Sequence, residues 1–159
     1  MRTDLAPPRT RIGLTTLALA AVGLAVSVYL TIEHYRAPTS LACPDTGAIN
    51  CTKVTTSSWA MVGSVPLALL GSLFFAAMVL LCIPAAWRHQ RLDGVRIAGA
   101  AAGVLSALYL VWVEIFRVEA ICLWCTVAHV ASLGLLVAVL WTITGREPAT
   151  SRSVRGSTS

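Results

Sequence analysis

The amino-acid sequence predicts an all-α fold, a polytopic membrane bundle of four helices. Hydrophobic residue types make up 57% of the 159 residues and charged types only 12%, against roughly 25% charge in ordinary soluble domains. The apolar residues gather in four long runs, and most Lys and Arg residues stand in short clusters between those runs. This composition excludes a disordered chain, a coiled coil and a nucleic-acid binder with a basic surface, although the formal net charge is +5.

Each apolar run is long enough to cross a bilayer as a helix. A hydrocarbon core of about 30 Å requires roughly 20 apolar residues, and a helix satisfies its own backbone hydrogen bonds inside lipid. Because the first run exceeds the roughly 7–15 apolar residues of a signal peptide, we interpret it as a permanent span. The predicted spans are residues 12–32, residues 66–86 within the charge-free stretch 54–87, residues 97–113 with an extension past Glu114, and residues 120–144.

The basic residues predict the orientation of these spans. Nine of the twelve Lys and Arg residues fall in the N-terminal segment, the middle loop and the C-terminal tail, with Arg96 counted in the middle loop. Because short cytoplasmic segments are enriched in Lys and Arg, we expect a protein of the bacterial inner (plasma) membrane with both termini on the cytoplasmic side. Residues 33–65 and 114–121 then face outward, and the five tryptophans fall near the two membrane boundaries, as an aromatic belt does.

The predicted domain organisation is simple. Residues 1–11 form a cytoplasmic N-terminal segment, residues 12–144 form the four-span catalytic domain, and residues 145–159 form a disordered cytoplasmic tail rich in Ser, Thr and Arg. Gly99 and Gly103 match the spacing at which membrane helices pack closely. We expect them to pack within a monomeric bundle rather than between two copies.

Four of the five cysteines fall on the predicted outer side, where disulfides persist. Cys43 and Cys51 lie in the first outer loop, whereas Cys122 and Cys125 form a C-x-x-C pair at the start of the last span. Residues three apart share one face of a helix, and the positive end of the helix dipole favours a thiolate at Cys122 in the first turn. The fifth, Cys82, is predicted to be a packed apolar residue near the cytoplasmic end of the second span.

This arrangement predicts an electron relay. The loop pair can meet a soluble protein, and electrons can then pass to the helix pair by disulfide exchange between Cys51 and Cys122. Since Cys125 lies about 4.5 Å deeper along the helix, the final acceptor suited to its position is a lipid-soluble two-electron acceptor, a quinone. A structural zinc site and two inert disulfides stay open as alternatives, although we expect no bound metal. A haem is disfavoured because only His129 lies within a predicted span.

The cysteine motifs and their surroundings resemble the vitamin K epoxide reductase family. The resemblance covers roughly residues 12–144 and implies a four-helix bundle around a quinone, capped by the outer loop and a short interfacial helix. The motifs that carry it are CPDTGAINC over residues 43–51, SSW over residues 57–59, GSVPL over residues 63–67 and CLWC over residues 122–125.

The resemblance implies roles for the cysteines and for one serine. Cys43 would be the shuttle cysteine nearest the protein partner, Cys51 would exchange with Cys122, and Cys125 would lie against the quinone ring. Ser57 matches a serine that the family has near its active site, and we expect it to bind the quinone together with Cys125 and His129.

Three further polar residues carry expectations of their own. His129 stands where animal members of the family have a tyrosine, on the same helix face as Cys125, so it could donate a hydrogen bond to a quinone oxygen or relay a proton; a packing role is its alternative. We expect Glu114 to pair with Arg117, and Asn50 to make a turn.

The predicted function is that of a membrane thiol-disulfide oxidoreductase. It would pass electrons from a separate secreted thioredoxin-like disulfide oxidase, through both cysteine pairs, to a quinone of the menaquinone or ubiquinone class, and so support disulfide bond formation. The partner is expected to be separate because the thioredoxin-like domain fused to many bacterial family members has no counterpart in this sequence. The alternatives are reduction of a quinone or vitamin K epoxide with thiols as reductant, and a non-catalytic zinc-stapled membrane scaffold.

Overall fold

Four long apolar helices make up most of the structure. The computed structural model describes residues 8–36, 41–44 and 46–145, so the predicted tail beyond Gly145 and residues 1–7 of the predicted N-terminal segment lie outside the described residues. In chain order the elements are helix α1 (Pro8–Arg36), helix α2 (Cys51–Thr55), a 3-10 turn (Ser58–Ala60), strands β1 (Met61–Val62) and β2 (Val65–Pro66), helix α3 (Leu67–Cys82), two 3-10 turns (Ala86–Arg88 and Gln90–Leu92), helix α4 (Asp93–Val113), a π-helical turn (Glu114–Val118) and helix α5 (Leu123–Thr144).

The helices confirm the predicted all-α polytopic membrane fold. Three segments are long and apolar enough to cross a membrane, namely Gly13–Arg36, Gln90–Val118 and Leu123–Thr144. The fourth, α3, has 16 residues and is therefore roughly 24 Å long, somewhat shorter than a hydrocarbon core. Large apolar side chains on these helices are exposed, as lipid-facing side chains are; examples are Leu73, Leu80, Leu105, Val130 and Leu133.

Small residues let the four helices approach one another. Helix α1 packs extensively on α3 and α5, and α4 packs on α5, whereas α3 and α4 meet less extensively. A methyl group added at Gly99 would lie 2.9 Å from the Met78 sulfur, and one at Gly103 would lie 2.6 Å from the Phe74 ring. Both predicted packing glycines therefore receive side chains of α3 within one bundle.

Two helix boundaries differ from their predictions, and the local chemistry explains both. Helix α3 stops at Cys82 rather than at residue 86, because Pro84 disfavours helical backbone at the residue before it, and Ile83 is extended with ψ 146°. Helix α4 begins at Asp93, and its continuation past Glu114 takes the form of a π-helical turn.

Arg96 corrects the predicted middle loop, because it lies in the first turn of α4 and is fully buried. Its guanidinium donates hydrogen bonds to the Leu81 carbonyl at 2.8 Å and to the Ala86 carbonyl at 2.6 Å. It also forms an ion pair with Asp93 and lies 4.2 Å from the centre of the Trp87 ring. One buried arginine thus holds the α3–α4 connection against both helices.

A short cap covers the opposite end of the bundle. We define the cap as residues 46–66, which contain α2, the 3-10 turn Ser58–Ala60 and the β1–β2 hairpin. The predicted short interfacial helix is present as α2, whose N-terminus is capped by Asn50: its side-chain oxygen accepts a hydrogen bond from the Lys53 amide at 2.8 Å. The hairpin turn requires a positive φ of 63° at Gly63, which glycine adopts without strain.

Candidate active site

The four predicted redox cysteines form two disulfides at the cap end of the bundle. Cys43 pairs with Cys51 across a Cα–Cα distance of 6.1 Å, and Cys122 pairs with Cys125 across 5.1 Å. Cys82 is a free, buried thiol in the packed core at the other end, as its predicted packing role requires. The zinc alternative gains no support from the described residues, since these four side chains are joined as two sulfur pairs and no group of three or more His, Cys, Asp or Glu ligands is found there.

A backbone bridge brings the two disulfides together. Ile49 and Ile121 form a parallel bridge, in which the Asn50 amide donates to the Ile121 carbonyl at 3.0 Å and the Ile121 amide donates to the Ala48 carbonyl at 2.9 Å. Cys51 follows one side of this bridge and Cys122 follows the other. The bridge therefore sets the two predicted exchange partners side by side at the starts of α2 and α5.

Burial differs sharply among the cysteines. Cys51 is 1% exposed and Cys122 is 0% exposed, so both are shielded from water. Cys43 is only half-buried, and its neighbour Pro44 is exposed. Cys43 is accordingly the more accessible end of the loop disulfide.

Two aromatic side chains that were not predicted as site residues hold the chain beside Cys43. The Trp124 indole donates a hydrogen bond to the Ala42 carbonyl at 3.0 Å, and the Ala42 amide donates to the Tyr29 hydroxyl at 3.2 Å. The Tyr29 and Trp124 ring centres are 5.1 Å apart. Trp124, which was assigned only to the membrane boundary, therefore connects the C-x-x-C segment to the residue before Cys43.

Cys122 is the N-cap of α5 rather than a residue of its first turn, which corrects the predicted position by one step. Its sulfur accepts a hydrogen bond from the Cys125 backbone amide at 3.2 Å. The amides and the positive dipole end of a helix N-terminus stabilise negative charge. A thiolate released at Cys122 by opening of the disulfide would therefore be stabilised in place.

An apolar cavity of about 370 Å³ lies beneath the cap, between the long helices. This volume falls within the range of small-molecule sites. Cys125, Ser57 and His129, the three residues predicted to bind a quinone, all line this cavity. Side chains of α3 and α4, which pack on each other less extensively than α1 packs on α3 or α4 packs on α5, contribute much of the lining.

Two polar side chains on this wall are available to a ligand. The Ser57 hydroxyl donates to the Val54 carbonyl at 2.8 Å, which leaves its oxygen able to accept a hydrogen bond. The His129 Nδ1 atom is buried and has no hydrogen-bond partner among the residues that the structure describes. Buried polar atoms are nearly always paired, so this nitrogen favours a ligand atom in the cavity over the packing alternative.

Glu114 was not recognised as a site residue, and its expected pairing with Arg117 is wrong. Glu114 is buried, lines the cavity, and its Oε2 atom accepts a hydrogen bond from the Cys122 backbone amide at 3.3 Å. The exposed Arg117 instead lies 4.8 Å from the centre of the Trp59 ring, against the cap. The signal that could have identified Glu114 is its place as a lone carboxylate at the end of an apolar run, shortly before the C-x-x-C pair.

Comparison with known proteins agrees with this geometry. The family model described as "Vitamin K epoxide reductase family" matches residues 14–140, which is most of the chain. A search of the curated proteins finds no match. The matched region contains both disulfides, the cap and the cavity. The chain belongs to the vitamin K epoxide reductase family, and it is thus a multi-pass membrane protein of an oxidoreductase family that uses quinones.

Proposed function

We propose that this protein is a quinone-dependent thiol-disulfide oxidoreductase of the bacterial inner membrane. It takes electrons from a separate secreted thioredoxin-like disulfide oxidase and thereby supports disulfide bond formation. One observation carries the proposal: the backbone bridge joins an accessible disulfide, at Cys43, to a second disulfide whose Cys125 lines an apolar cavity. A route therefore exists from an aqueous dithiol to a lipid-soluble acceptor.

The electron path consists of successive thiol–disulfide exchanges. A thiolate of the partner attacks Cys43, the Cys43–Cys51 bond breaks, and the partner's second thiol completes its own disulfide. The Cys51 thiolate then attacks Cys122, the Cys122–Cys125 bond breaks, and Cys43 displaces Cys122 to restore the loop disulfide. The helix pair is left as a dithiol, which regains its disulfide by breaking two S–H bonds and releasing two electrons and two protons.

A quinone fits the residues around the cavity. The walls are mostly apolar, as an isoprenoid quinone requires, and the unpartnered His129 Nδ1 and the Ser57 oxygen are the polar groups that could meet its ring oxygens. Cys125 would lie against the ring. The limited packing between α3 and α4 supports entry of such a molecule from the lipid. When bound, a quinone of the menaquinone or ubiquinone class supplies a two-electron, two-proton acceptor.

The basic residues support the orientation that this function requires. With the segments rich in Lys and Arg in the cytoplasm, the cysteine pairs face the compartment in which disulfides persist. A membrane-impermeant maleimide applied to intact cells after mild reduction should label Cys43. Labelling of Cys43 only after the cells are broken would reverse the topology and remove the proposed partner.

Quinone reduction by the purified protein tests the relay. With dithiothreitol as donor, we expect Cys122→Ala and Cys125→Ala to lose all turnover. Cys43→Ala should retain turnover with small dithiols and lose it with a thioredoxin-like protein. Cys82→Ala is the matched control, because this cysteine lies at the other end of the bundle. Wild-type turnover by Cys125→Ala would remove Cys125 from the chemistry.

The family assignment favours a second candidate function, reduction of a quinone epoxide with thiols as the reductant. The same two disulfides serve both reactions, so the substrate range decides between them. Incubation with dithiothreitol and either vitamin K epoxide or the quinone separates the two: turnover of the epoxide at a rate comparable to the quinone would make epoxide reduction the better description.

A further inference from the structure

We propose that Glu114 carries the proton of Cys122 during disulfide exchange between the two cysteine pairs. This inference rests on the relay proposed above and adds a residue to it. Glu114 is 5% exposed, and the hydrogen bond that the structure gives its carboxylate comes from the Cys122 backbone amide. Burying a carboxylate is costly, and one long hydrogen bond compensates for little of that cost, so stability alone is a poor reason for its position.

Two unusual backbone features, a π-helical turn and a left-handed residue, bring Glu114 close to the C-x-x-C segment. Helix α4 widens into the π-helical turn at Glu114, and π-helical turns occur frequently at functional sites. The chain then reverses through Glu119, which has a left-handed φ of 54°, and the Ala120 amide donates to the Glu114 carbonyl at 3.1 Å. A non-glycine residue in this conformation is strained. The strained reversal brings the C-x-x-C segment back to the carboxylate.

The cavity lining narrows the choice of proton carrier. Among the described residues that line the cavity, Glu114 has the one carboxylate, and the other titratable side chains are His34, Cys125 and His129. Of these, Cys125 is itself a redox cysteine and His129 is the group proposed to meet the quinone. Glu114 is the one of these whose side chain is hydrogen-bonded to Cys122, through the Cys122 backbone amide.

The exchange chemistry creates a need for this proton. When Cys43 attacks Cys51 in the Cys51–Cys122 mixed disulfide, the Cys43–Cys51 bond forms, the Cys51–Cys122 bond breaks, and the electron pair stays on Cys122. The helix N-terminus stabilises the thiolate as it forms, but because Cys122 is shielded from water, the proton that converts it to a thiol comes from a protein group: Glu114 donates that proton and becomes a carboxylate. When the helix pair is oxidised, two electrons go to the quinone and Cys122 returns its proton to Glu114.

The proton balance closes without net change at Glu114. The proton that Cys51 loses on attacking Cys122 goes to Cys125, which leaves as a thiol, and later reaches the hydroquinone. The second proton of the hydroquinone comes from water, and it balances the proton that Cys43 releases to water when it attacks Cys51. Glu114 thus acts only between the formation and the oxidation of the Cys122 thiol.

The proton-carrying step can be measured without quinone. In a Cys125→Ala variant with the loop disulfide intact, the Cys122 thiol can attack Cys51, which breaks the Cys43–Cys51 bond, forms the Cys51–Cys122 mixed disulfide and frees Cys43. The relaxation between this mixed disulfide and its resolution by Cys43 is followed by acid quenching, alkylation and mass spectrometry. General acid catalysis contributes roughly 100-fold or more, so Glu114→Gln, which keeps the shape and an oxygen acceptor, should slow this step by about that factor. Glu114→Asp should retain part of the rate. Arg117→Gln, on the same π-helical turn but exposed and outside the cavity lining, is the control and should match the wild type.

Chemical rescue separates proton transfer from a structural role. In Glu114→Ala, added formate should accelerate the resolution step, whereas chloride at the same ionic strength should not. Wild-type resolution by Glu114→Gln, or no acceleration of Glu114→Ala by formate, would overturn the proposal even if the variants fold less well. If the mixed disulfide never forms in the Cys125→Ala background, the relay itself fails, an outcome distinct from failure of Glu114 alone and one that overturns both.

Discussion

At the scale of single residues, the redox cysteines differ in solvent exposure, and the difference matches their proposed roles. Cys51 and Cys122 are shielded from water, whereas Cys43 is half-buried beside an exposed neighbour. Thiol–disulfide exchange requires access of the attacking thiolate to the sulfur. In the proposed relay a bulky protein partner can therefore reach Cys43, while the inner exchange between Cys51 and Cys122 is protected from competing thiols.

His129 gives a prediction at the same scale. Replacing it with Phe keeps an aromatic ring and removes the buried Nδ1 atom that lacks a partner within the described part of the chain. One hydrogen bond contributes about 1 kcal/mol net, so we expect His129→Phe to raise the KM for quinone about fivefold. Exchange between the two cysteine pairs should stay unchanged, and both are measured on the same purified protein. An unchanged KM would leave His129 with a packing role only.

The residue roles that sequence could predict are those that spacing defines. Cys43, Cys51, Cys122 and Cys125 were recognised because the C-x-x-C pattern and the order of the cysteines along the chain are visible without a structure. Glu114 was not, because it was expected to pair with Arg117, three residues further along the chain. The contact that defines it, with the Cys122 amide, depends on a π-helical turn and a strained reversal that no local pattern encodes.

At the scale of elements, the positions of the helices followed from hydropathy, whereas their ends depended on individual residues that hydropathy does not describe. Helix α3 ended early because of Pro84, which was visible in the sequence but not used. Helix α4 began early because Arg96 is paired with Asp93, three residues before it, and donates hydrogen bonds to the carbonyls of Leu81 and Ala86 in and after α3. In a hydropathy analysis a charged residue ends an apolar run. It does not end the helix when buried carbonyl oxygens accept its hydrogen bonds.

Arg96 should therefore stabilise the end of the bundle remote from the cysteines. Arg96→Met keeps an unbranched apolar stem and leaves the Leu81 and Ala86 carbonyls without their donor. Removing one partner from a buried polar network costs about 3 kcal/mol, which a denaturation titration in mixed micelles would detect. Arg91→Met, at an exposed position, is the control and should change stability by less than about 0.5 kcal/mol. Equal stability of both variants would show that the network is not stabilising.

The bridge between Ile49 and Ile121 should control the rate of the inner exchange. Ile121→Pro removes the amide that donates a hydrogen bond to the Ala48 carbonyl, so the two cysteine pairs should move apart. Exchange between Cys51 and Cys122 should then slow by about tenfold or more, because a lost hydrogen bond worth about 1.4 kcal/mol corresponds to a factor of about ten. Reduction of Cys122–Cys125 by a small dithiol should be unaffected. Leu123→Pro is a matched control, because the first position of a helix tolerates proline. Equal exchange rates in the two variants would contradict a positioning role for the bridge.

At the scale of the whole molecule, the bundle separates a packed end from a functional end. Away from the cysteines, Ala20, Met78 and Leu135 form a fully buried core, and Arg96 closes the α3–α4 connection. Toward the cysteines the helices line the cavity, and residues of the cap cover it. The four-helix architecture, the cap and a quinone site within the bundle were expected from the sequence and its resemblance. The volume and the lining of the cavity were not, because they depend on how the helices pack, including the limited packing between α3 and α4, rather than on any residue type.

The central claim is that the Cys122–Cys125 pair is the immediate electron donor to a quinone in this cavity. The most direct measurement mixes the fully reduced Cys43→Ala/Cys51→Ala protein, in excess and without other thiols, with a soluble quinone, and follows hydroquinone absorbance together with the thiol content by alkylation and mass spectrometry. We predict one hydroquinone formed for each Cys122–Cys125 disulfide that appears, at the same rate for both. Hydroquinone formed while this pair stays reduced, or a fully reduced pair that leaves the quinone unchanged, would contradict the account.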